Sequence, residues 1–336
     1  MTTVAMSPHF DGDEKITFRD HVYPDVGPGE LLLRIEANAI CGSDRDQYYN
    51  GSTVVPGHEA AGTVVQAGEG TTAPIGTTGA VYLMDYCGQC RSCRLGFTNQ
   101  CLAKRADMGF SHDGGYGPFE LVHDSNFFPV GTDVSAVEAT LLLDVMGTSG
   151  HAIGRAQLVR PDIESVYIAG GGPIGLGLLV TAKLRLGHDV PTYVSDISEW
   201  RRAYAAELGG IPLDPSDPVA AGPPDVDVAF DSTGKAAARR AALDVLGKRG
   251  ALICVGHGER VTLDASADLI MPERAVLGSE YFRYDEMAGN LELLRAHRVQ
   301  LGRIITHTFP VAQIAEAFEL FLSGQAGKVI ITQDAS

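Results

Sequence analysis

The chain has 336 residues, more than one hydrophobic core ordinarily serves, so two domains are expected. Apolar residues make up 45% and charged residues 20%, the balance of a globular domain, and the formal net charge is −16. A surface this acidic repels nucleic acid and anionic membranes, which argues against both as partners.

The opening residues, MTTVAMSPHFDGDE, carry neither an apolar core nor a basic leader, so they do not read as a signal peptide. No apolar stretch reaches the roughly 18–20 residues needed to span a bilayer. A cytoplasmic protein is expected. In that reducing compartment clustered cysteines read as metal ligands rather than disulfides.

Up to about residue 150 the pattern is one of short strands between turns. Glu30 to Glu36 follows the turn Gly27-Pro28-Gly29, His58 to Val65 is a second strand, and Gly114 to Val122 leads into a third. This predicts a barrel-like β domain. After His151 the pattern alternates. Strands are predicted at Ser165 to Ala169, Tyr193 to Asp196, Val226 to Phe230 and Ala251 to Val255. Helices are predicted at Pro173 to Leu186, Ser198 to Leu208 and Lys235 to Leu246. Such alternation predicts a doubly wound parallel sheet, an α/β dinucleotide (Rossmann) domain spanning 151–281. Helices near Glu286 to Ala296 and Val311 to Leu322 and a strand at Lys328 to Thr332 follow. They are assigned to the first domain, which then comprises 1–150 and 282–336.

Gly170, Gly172 and Gly175 fit G-x-G-x-x-G between a strand and a helix, with Pro173 and Ile174 opening the helix. The first glycine permits the turn, the second lets a pyrophosphate reach the backbone, and the third lets helix and strand pack closely. Asp196 ends the next strand. A carboxylate there accepts hydrogen bonds from a ribose 2′-hydroxyl and repels a 2′-phosphate, which predicts NAD over NADP.

Cys87, Cys90, Cys93 and Cys101 are spaced C-x2-C-x2-C-x7-C, and predict a closed, structural zinc site in a lobe over 86–102. Cys254, inside the apolar strand ALICVG, reads as a small core residue. Upstream, Cys41 opens Cys41-Gly42-Ser43-Asp44, and His58-Glu59 follows Pro56-Gly57. A thiolate, an imidazole and a carboxylate with one open position describe a catalytic zinc site, although on composition alone a lone cysteine and a lone histidine are more often core residues.

CGSD at 41–44, GHEAAG at 57–62, the four-cysteine lobe, AGGGPIG at 169–175 and GKVII at 327–331 together resemble the zinc-dependent medium-chain dehydrogenase/reductase family. The resemblance implies a GroES-like β-barrel catalytic domain joined to a Rossmann domain, with two zinc ions per chain and NAD. It implies that Cys41 and His58 ligate the catalytic zinc and that Glu59 is a third or exchangeable ligand. Asp44 would orient His58, and Ser43 would pass on the substrate proton. Polyol dehydrogenases of the family carry a glutamate seven residues before a histidine; here Asp144 stands seven residues before His151. That implies an acidic ligand and a place near the polyol and threonine dehydrogenase branch.

Two departures bear on the pocket. Relatives carry a relay histidine where this chain has Asp46, which could accept a proton, contact substrate or simply be solvated. The stretch from Cys41 to His58 is short, and makes Tyr48 and Tyr49 either pocket-lining or packed in the loop. The implied activity is NAD-dependent oxidation of a secondary alcohol: a polyol, cyclitol, sugar or amino alcohol. The alternatives are a redox-neutral, epimerase-like enzyme with tightly held NAD and a non-catalytic cofactor-binding member. The apolar run Ala275 to Tyr281 reads as a sheet edge, and by resemblance implies a homodimer or homotetramer.

Overall fold

The computed structural model describes residues 3–217 and 225–333. One of its two main sheets is six-stranded and parallel. The order across it is Ile211–Leu213, Thr192–Ser195, Val166–Ala169, Val226–Asp231, Leu246–Cys254 and Ala275–Gly278. The chain therefore starts in the middle, builds one side, and returns past its first strand to build the other. That reversal opens a crevice at the carboxyl ends of Val166–Ala169 and Val226–Asp231. Every residue of Val166–Ala169 is buried because both faces are covered. Val166 and Ile168 pack with Leu176 and Leu179 of the helix Pro173–Leu186. Tyr167 and Ala169 pack with Ala242 and Leu243 of the helix Ala236–Asp244.

The second sheet has seven strands and is mostly antiparallel. Its order is Ile305–Pro310, Lys328–Thr332, Glu30–Ala39, Ala60–Ala67, Thr78–Val81 and Phe127–Pro129, with Phe119–His123 also paired to Glu30–Ala39. The last strands of the chain thus return to the sheet formed by the first third, and carry Lys328 beneath the segments that bear Cys41 and His58.

The predicted helices Pro173 to Leu186 and Glu286 to Ala296 and the strand Lys328 to Thr332 occupy the expected residues. The strand from Ala275 is shorter than expected. It ends at Gly278, at the edge of the sheet, and the chain turns sharply at Tyr281, whose φ is 47°.

The hairpin Thr3–Gly12 with Lys15–Tyr23 was not expected. Asp13 and Glu14 take φ of 49° and 64°, the left-handed pair that a tight hairpin turn requires. The turn docks on the short helix Arg45–Asn50, where the Asp13 amide donates to the Tyr49 carbonyl at 2.8 Å. Phe10 anchors the hairpin, stacked on Tyr116 at 5.7 Å and edge-on to Phe318 at 5.1 Å. Among the described residues no helix is long and apolar enough to cross a membrane.

Phe10 is completely enclosed in this aromatic cluster. Phe10→Ala is expected to destabilise the protein by about 3–5 kcal/mol, the usual cost of emptying a buried ring site. Denaturant unfolding of the variant against the parent checks it.

Candidate active site

The dinucleotide loop lies at the crevice between the central strands. Gly170 has φ of 98°, and a Cβ there would lie 2.6 Å from Ser232 Oγ. A Cβ on Gly175 would lie 1.8 Å from the Gly170 carbonyl oxygen, so helix and loop touch backbone to backbone. Gly172 caps the helix and Pro173 and Ile174 form its first turn, which aims unpaired backbone amides into the crevice. Asp196 is buried. Its Oδ2 accepts from the Gly171 amide at 2.7 Å and its Oδ1 from the Ser198 amide at 2.7 Å. Arg201 was not anticipated. It lies against Gly171 and Gly172 with Nη1 3.9 Å from Asp196 Oδ2.

In the lobe, Cys87, Cys90, Cys93 and Cys101 present four sulfurs within 4.8 Å of one another. Backbone amides converge on them. Cys87 Sγ accepts from Gln89 and Cys90, and Cys90 Sγ accepts from Cys93 and Leu102, at 3.3–3.5 Å. These amides pull the Cys90 thiol down to about 6. A nest of amide donors around clustered sulfurs favours thiolates, the form that binds a metal. The donor set therefore fits zinc.

The second cluster is buried, with a narrow opening to solvent. One donor atom each from Cys41, His58, Glu59 and Asp144 lies within 4.8 Å of the others, and all four residues are buried. They come from separate segments: the end of Glu30–Ala39, the approach to Ala60–Ala67, and the π-helical turn Asp144–Thr148. π turns are uncommon and concentrate at functional sites. This one brings the short Asp144 side chain in, with Oδ2 at 3.0 Å from Cys41 Sγ and 3.6 Å from His58 Nε2.

The surroundings orient the cluster. Asp44 is completely buried; its Oδ1 faces His58 Nδ1 at 3.0 Å, and its Oδ2 accepts from the Cys41 amide at 3.0 Å and from the Tyr116 hydroxyl at 2.7 Å. With Nδ1 directed at a carboxylate, His58 presents Nε2 to the other donors. Burial lowers the affinity of His58 for a proton, but the Asp44 charge together with hydrogen bonds to Asp144, Asp44 and Cys41 outweighs it and raises His58 well above its ordinary value. Burial would raise Asp144, yet His58 and Lys328 hold it at about 2. Burial pushes the Cys41 thiol up to about 11, with the Asp144 charge adding to it.

Glu59 is pushed up by burial although Lys328 opposes the shift. Its Oε1 is in close contact with Lys328 Nζ, and its Oε2 has no hydrogen-bond partner among the described residues. A thiol, an imidazole Nε2 and two carboxylates that converge, with one oxygen unmatched, fit a divalent ion of the zinc type.

Ser43 is exposed, with Oγ 3.4 Å from His58 Nε2, at the mouth of the cluster. Asp46 is not at the cluster: it is exposed and accepts from Asn50 Nδ2 at 2.7 Å, one turn along its own helix. Tyr48 is a packing residue rather than a pocket residue, buried and stacked on Phe318 at 5.0 Å. Tyr49 is exposed and packs edge-on to Tyr48.

A parallel sheet with a glycine-rich loop at its switch point, joined to a sheet holding a buried Cys, His and carboxylate cluster, defines a metal-dependent dehydrogenase. The comparisons with known proteins agree. The alcohol dehydrogenase GroES-like domain model matches residues 27–132 and the zinc-binding dehydrogenase model matches 173–296. The chain is 29% identical to a D-altritol 5-dehydrogenase of Agrobacterium fabrum over 88% of this chain and 89% of the relative. It is 27% identical to an L-threonine 3-dehydrogenase of Caldanaerobacter subterraneus over 98% of both chains. Among solved structures, acetophenone reductase of Geotrichum candidum in complex with NAD superposes with a TM-score of 0.85. The identity there is 27%, covering 98% of this chain and 97% of that one. The chain belongs to the zinc-dependent medium-chain dehydrogenase family and is an oxidoreductase.

Lys328 and Tyr116, which complete the surroundings of the cluster, escaped sequence reasoning. The one available signal for Lys328 was a lone cation heading the apolar run KVII. Lys328 is completely buried and its charge faces Glu59. Lys328→Met is expected to destabilise the fold by about 3–5 kcal/mol, because it leaves a buried carboxylate uncompensated. The double variant with Glu59→Gln should regain most of that loss. Denaturant unfolding of the three proteins checks the pattern. In the lobe, Cys90→Ala should remove one of the two zinc ions per chain, read by metal analysis of the purified protein.

Proposed function

We propose that this enzyme oxidises a secondary alcohol of the polyol, cyclitol, sugar or amino-alcohol class with NAD, and that Cys41, His58, Glu59 and Asp144 form its catalytic metal site. The observation that carries the proposal is the convergence of these four buried donors, with His58 Nε2 3.6 Å from Asp144 Oδ2 and Glu59 Oε2 left without a partner among the described residues. Cys41, His58 and Asp144 would hold zinc, with Glu59 as exchangeable ligand; the ion would supply Lewis-acid polarisation of a substrate oxygen and bound NAD the hydride acceptor.

The chain's own residues do the rest. Asp44 fixes the ring of His58. Ser43 Oγ, beside His58 and open to solvent, takes the proton released from the substrate hydroxyl and passes it outward. The carbinol carbon loses its hydrogen as hydride, and the hydroxyl loses its proton, so a carbonyl product and NADH form together. Gly170, Gly172, Pro173, Ile174 and Gly175 hold the pyrophosphate, and Asp196 takes the ribose hydroxyls. Cys87, Cys90, Cys93 and Cys101 hold a second, structural zinc. Two of the relatives, an altritol and a threonine dehydrogenase, support the substrate class. A cytoplasmic homodimer or homotetramer joined along the edge strand Ala275–Gly278 is part of the same reading.

NADH formation against simple alcohols, polyols, sugars, inositols and amino alcohols tests the activity. A signal on one hydroxyl-rich class supports it. Tightly held NAD without net NADH release would move the reading to a redox-neutral enzyme. Cys41→Ala should abolish turnover while leaving NAD affinity within about twofold. Asp196→Ser should raise NADP use relative to NAD, because Arg201 would then face a 2′-phosphate with no competing carboxylate. An unchanged cofactor ratio would remove Asp196 from that role.

A further inference from the structure

The segment after the last strand of the parallel sheet is held from several sides. Asn99 Nδ2 donates to the Glu280 carbonyl at 2.7 Å, the Tyr82 hydroxyl to the Phe282 carbonyl at 2.5 Å, and the Tyr284 amide to Thr98 Oγ1 at 2.8 Å. Between these anchors Tyr281 is forced to φ of 47°, a conformation that a bulky aromatic residue rarely takes. Strained backbone of this kind persists where its surroundings over-determine it, and it gathers at functional sites.

The same segment lies against the turn that carries Asp144. A Cβ on Gly147 would be 2.3 Å from the Phe282 ring, so only glycine there lets the two segments touch. Tyr281 packs on Phe282 at 4.2 Å and on Tyr82 at 5.4 Å, and is 7% exposed. Through Phe282 the strained turn sits against the turn that carries Asp144, and burial, with the charges of Asp144 and Glu59 adding to it, raises the Tyr281 phenol well above its ordinary value. Among the described residues that hydroxyl has no fully formed hydrogen bond. The Leu83 amide serves its oxygen as a donor and opposes the upward shift, which leaves the O–H donor as the unmatched function. A buried polar group without a partner is costly and calls for an explanation.

We propose that Tyr281 is a specificity-determining residue whose hydroxyl donates a hydrogen bond to a second oxygen of the substrate, adjacent to the carbon being oxidised, and so selects 1,2-diols. This rests on the dehydrogenase reading above and narrows its substrate class. A free O–H needs an acceptor. The neighbouring hydroxyl of a diol provides one, whereas the ammonium of an amino alcohol offers only donors and leaves the phenol unmatched. A site built to pair a substrate group discriminates strongly against analogues that lack it.

The test uses the zinc-loaded full chain and Tyr281→Phe, which keeps the ring. Turnover is measured with 2,3-butanediol, threonine and 2-butanol. Binding is measured separately, as the rise in unfolding midpoint that the diol produces in the presence of NADH. The parent should prefer the diol to both analogues. The variant should lose about tenfold in kcat/KM for the diol, stay within twofold for 2-butanol, and lose most of the diol-induced rise.

Equal losses on diol and mono-alcohol, or an undiminished rise, would overturn the role, as would a parent that gains no stability from the diol and prefers another substrate. A merely structural phenol would lower the ligand-free midpoint without changing the diol-to-monoalcohol ratio, and that result also overturns the proposal. If no alcohol gives NADH but the diol-induced rise is lost in Tyr281→Phe, the diol contact stands and the dehydrogenase reading falls.

Discussion

A thiol, an imidazole and several carboxylates are buried at one point, and the rest of the structure answers to that constraint. Groups of this kind are removed from water only at large cost unless opposite charge and hydrogen bonds compensate them. Here Lys328 is brought under Glu59 by a strand from the far end of the chain. Asp44 is turned onto His58 and is itself held by the Cys41 amide and Tyr116. The side chains of the cluster are thus fixed from behind, and their remaining donor atoms face one another. A divalent ion would satisfy that arrangement and offset the cost of burying so much polar chemistry.

The same constraint ties the two sheets together. Asp144 reaches the cluster from a π turn just before the helix Ser149–Gln157, and Phe282, beyond the last strand of the parallel sheet, lies on that turn. The parallel sheet also carries the glycine loop and Asp196 at its switch point. The glycine loop and the residue Asp144 are therefore positioned by one connected part of the fold, and Asp144 meets Cys41, His58 and Glu59 from the other sheet. Hydride transfer needs that coupling, because orientation of the two reactants supplies much of the rate.

Features that depend on local spacing were legible in the sequence. The glycine signature and Pro173 mark the start of a helix that runs to Leu186, and the cysteine spacing marks the lobe. Cys41, His58 and Asp144 were legible only through resemblance, since a lone cysteine, histidine or aspartate carries no periodic signal. Lys328 was missed because lysine is almost never fully buried without a partner, and its partner lies 269 positions away. The N-terminal hairpin was missed because its turn, Asp13-Glu14, lacks the Asn-Gly or Asp-Gly pair that usually announces one. Tyr48 could have lined a pocket, but tertiary packing against Phe318 decided otherwise. The strain at Tyr281 arises from contacts with distant segments, and no local rule would expose it.

The most direct test of the account is a graded chelation of the purified protein, with zinc content, NADH formation and unfolding midpoint followed on the same samples. The account predicts two zinc ions per chain at the outset, and loss of dehydrogenase activity in proportion to the zinc removed from the Cys41, His58 and Asp144 site. In a Cys90→Ala background, which leaves that site as the sole zinc centre, activity should fall to zero as the last ion leaves. Full activity in protein stripped of zinc would contradict it.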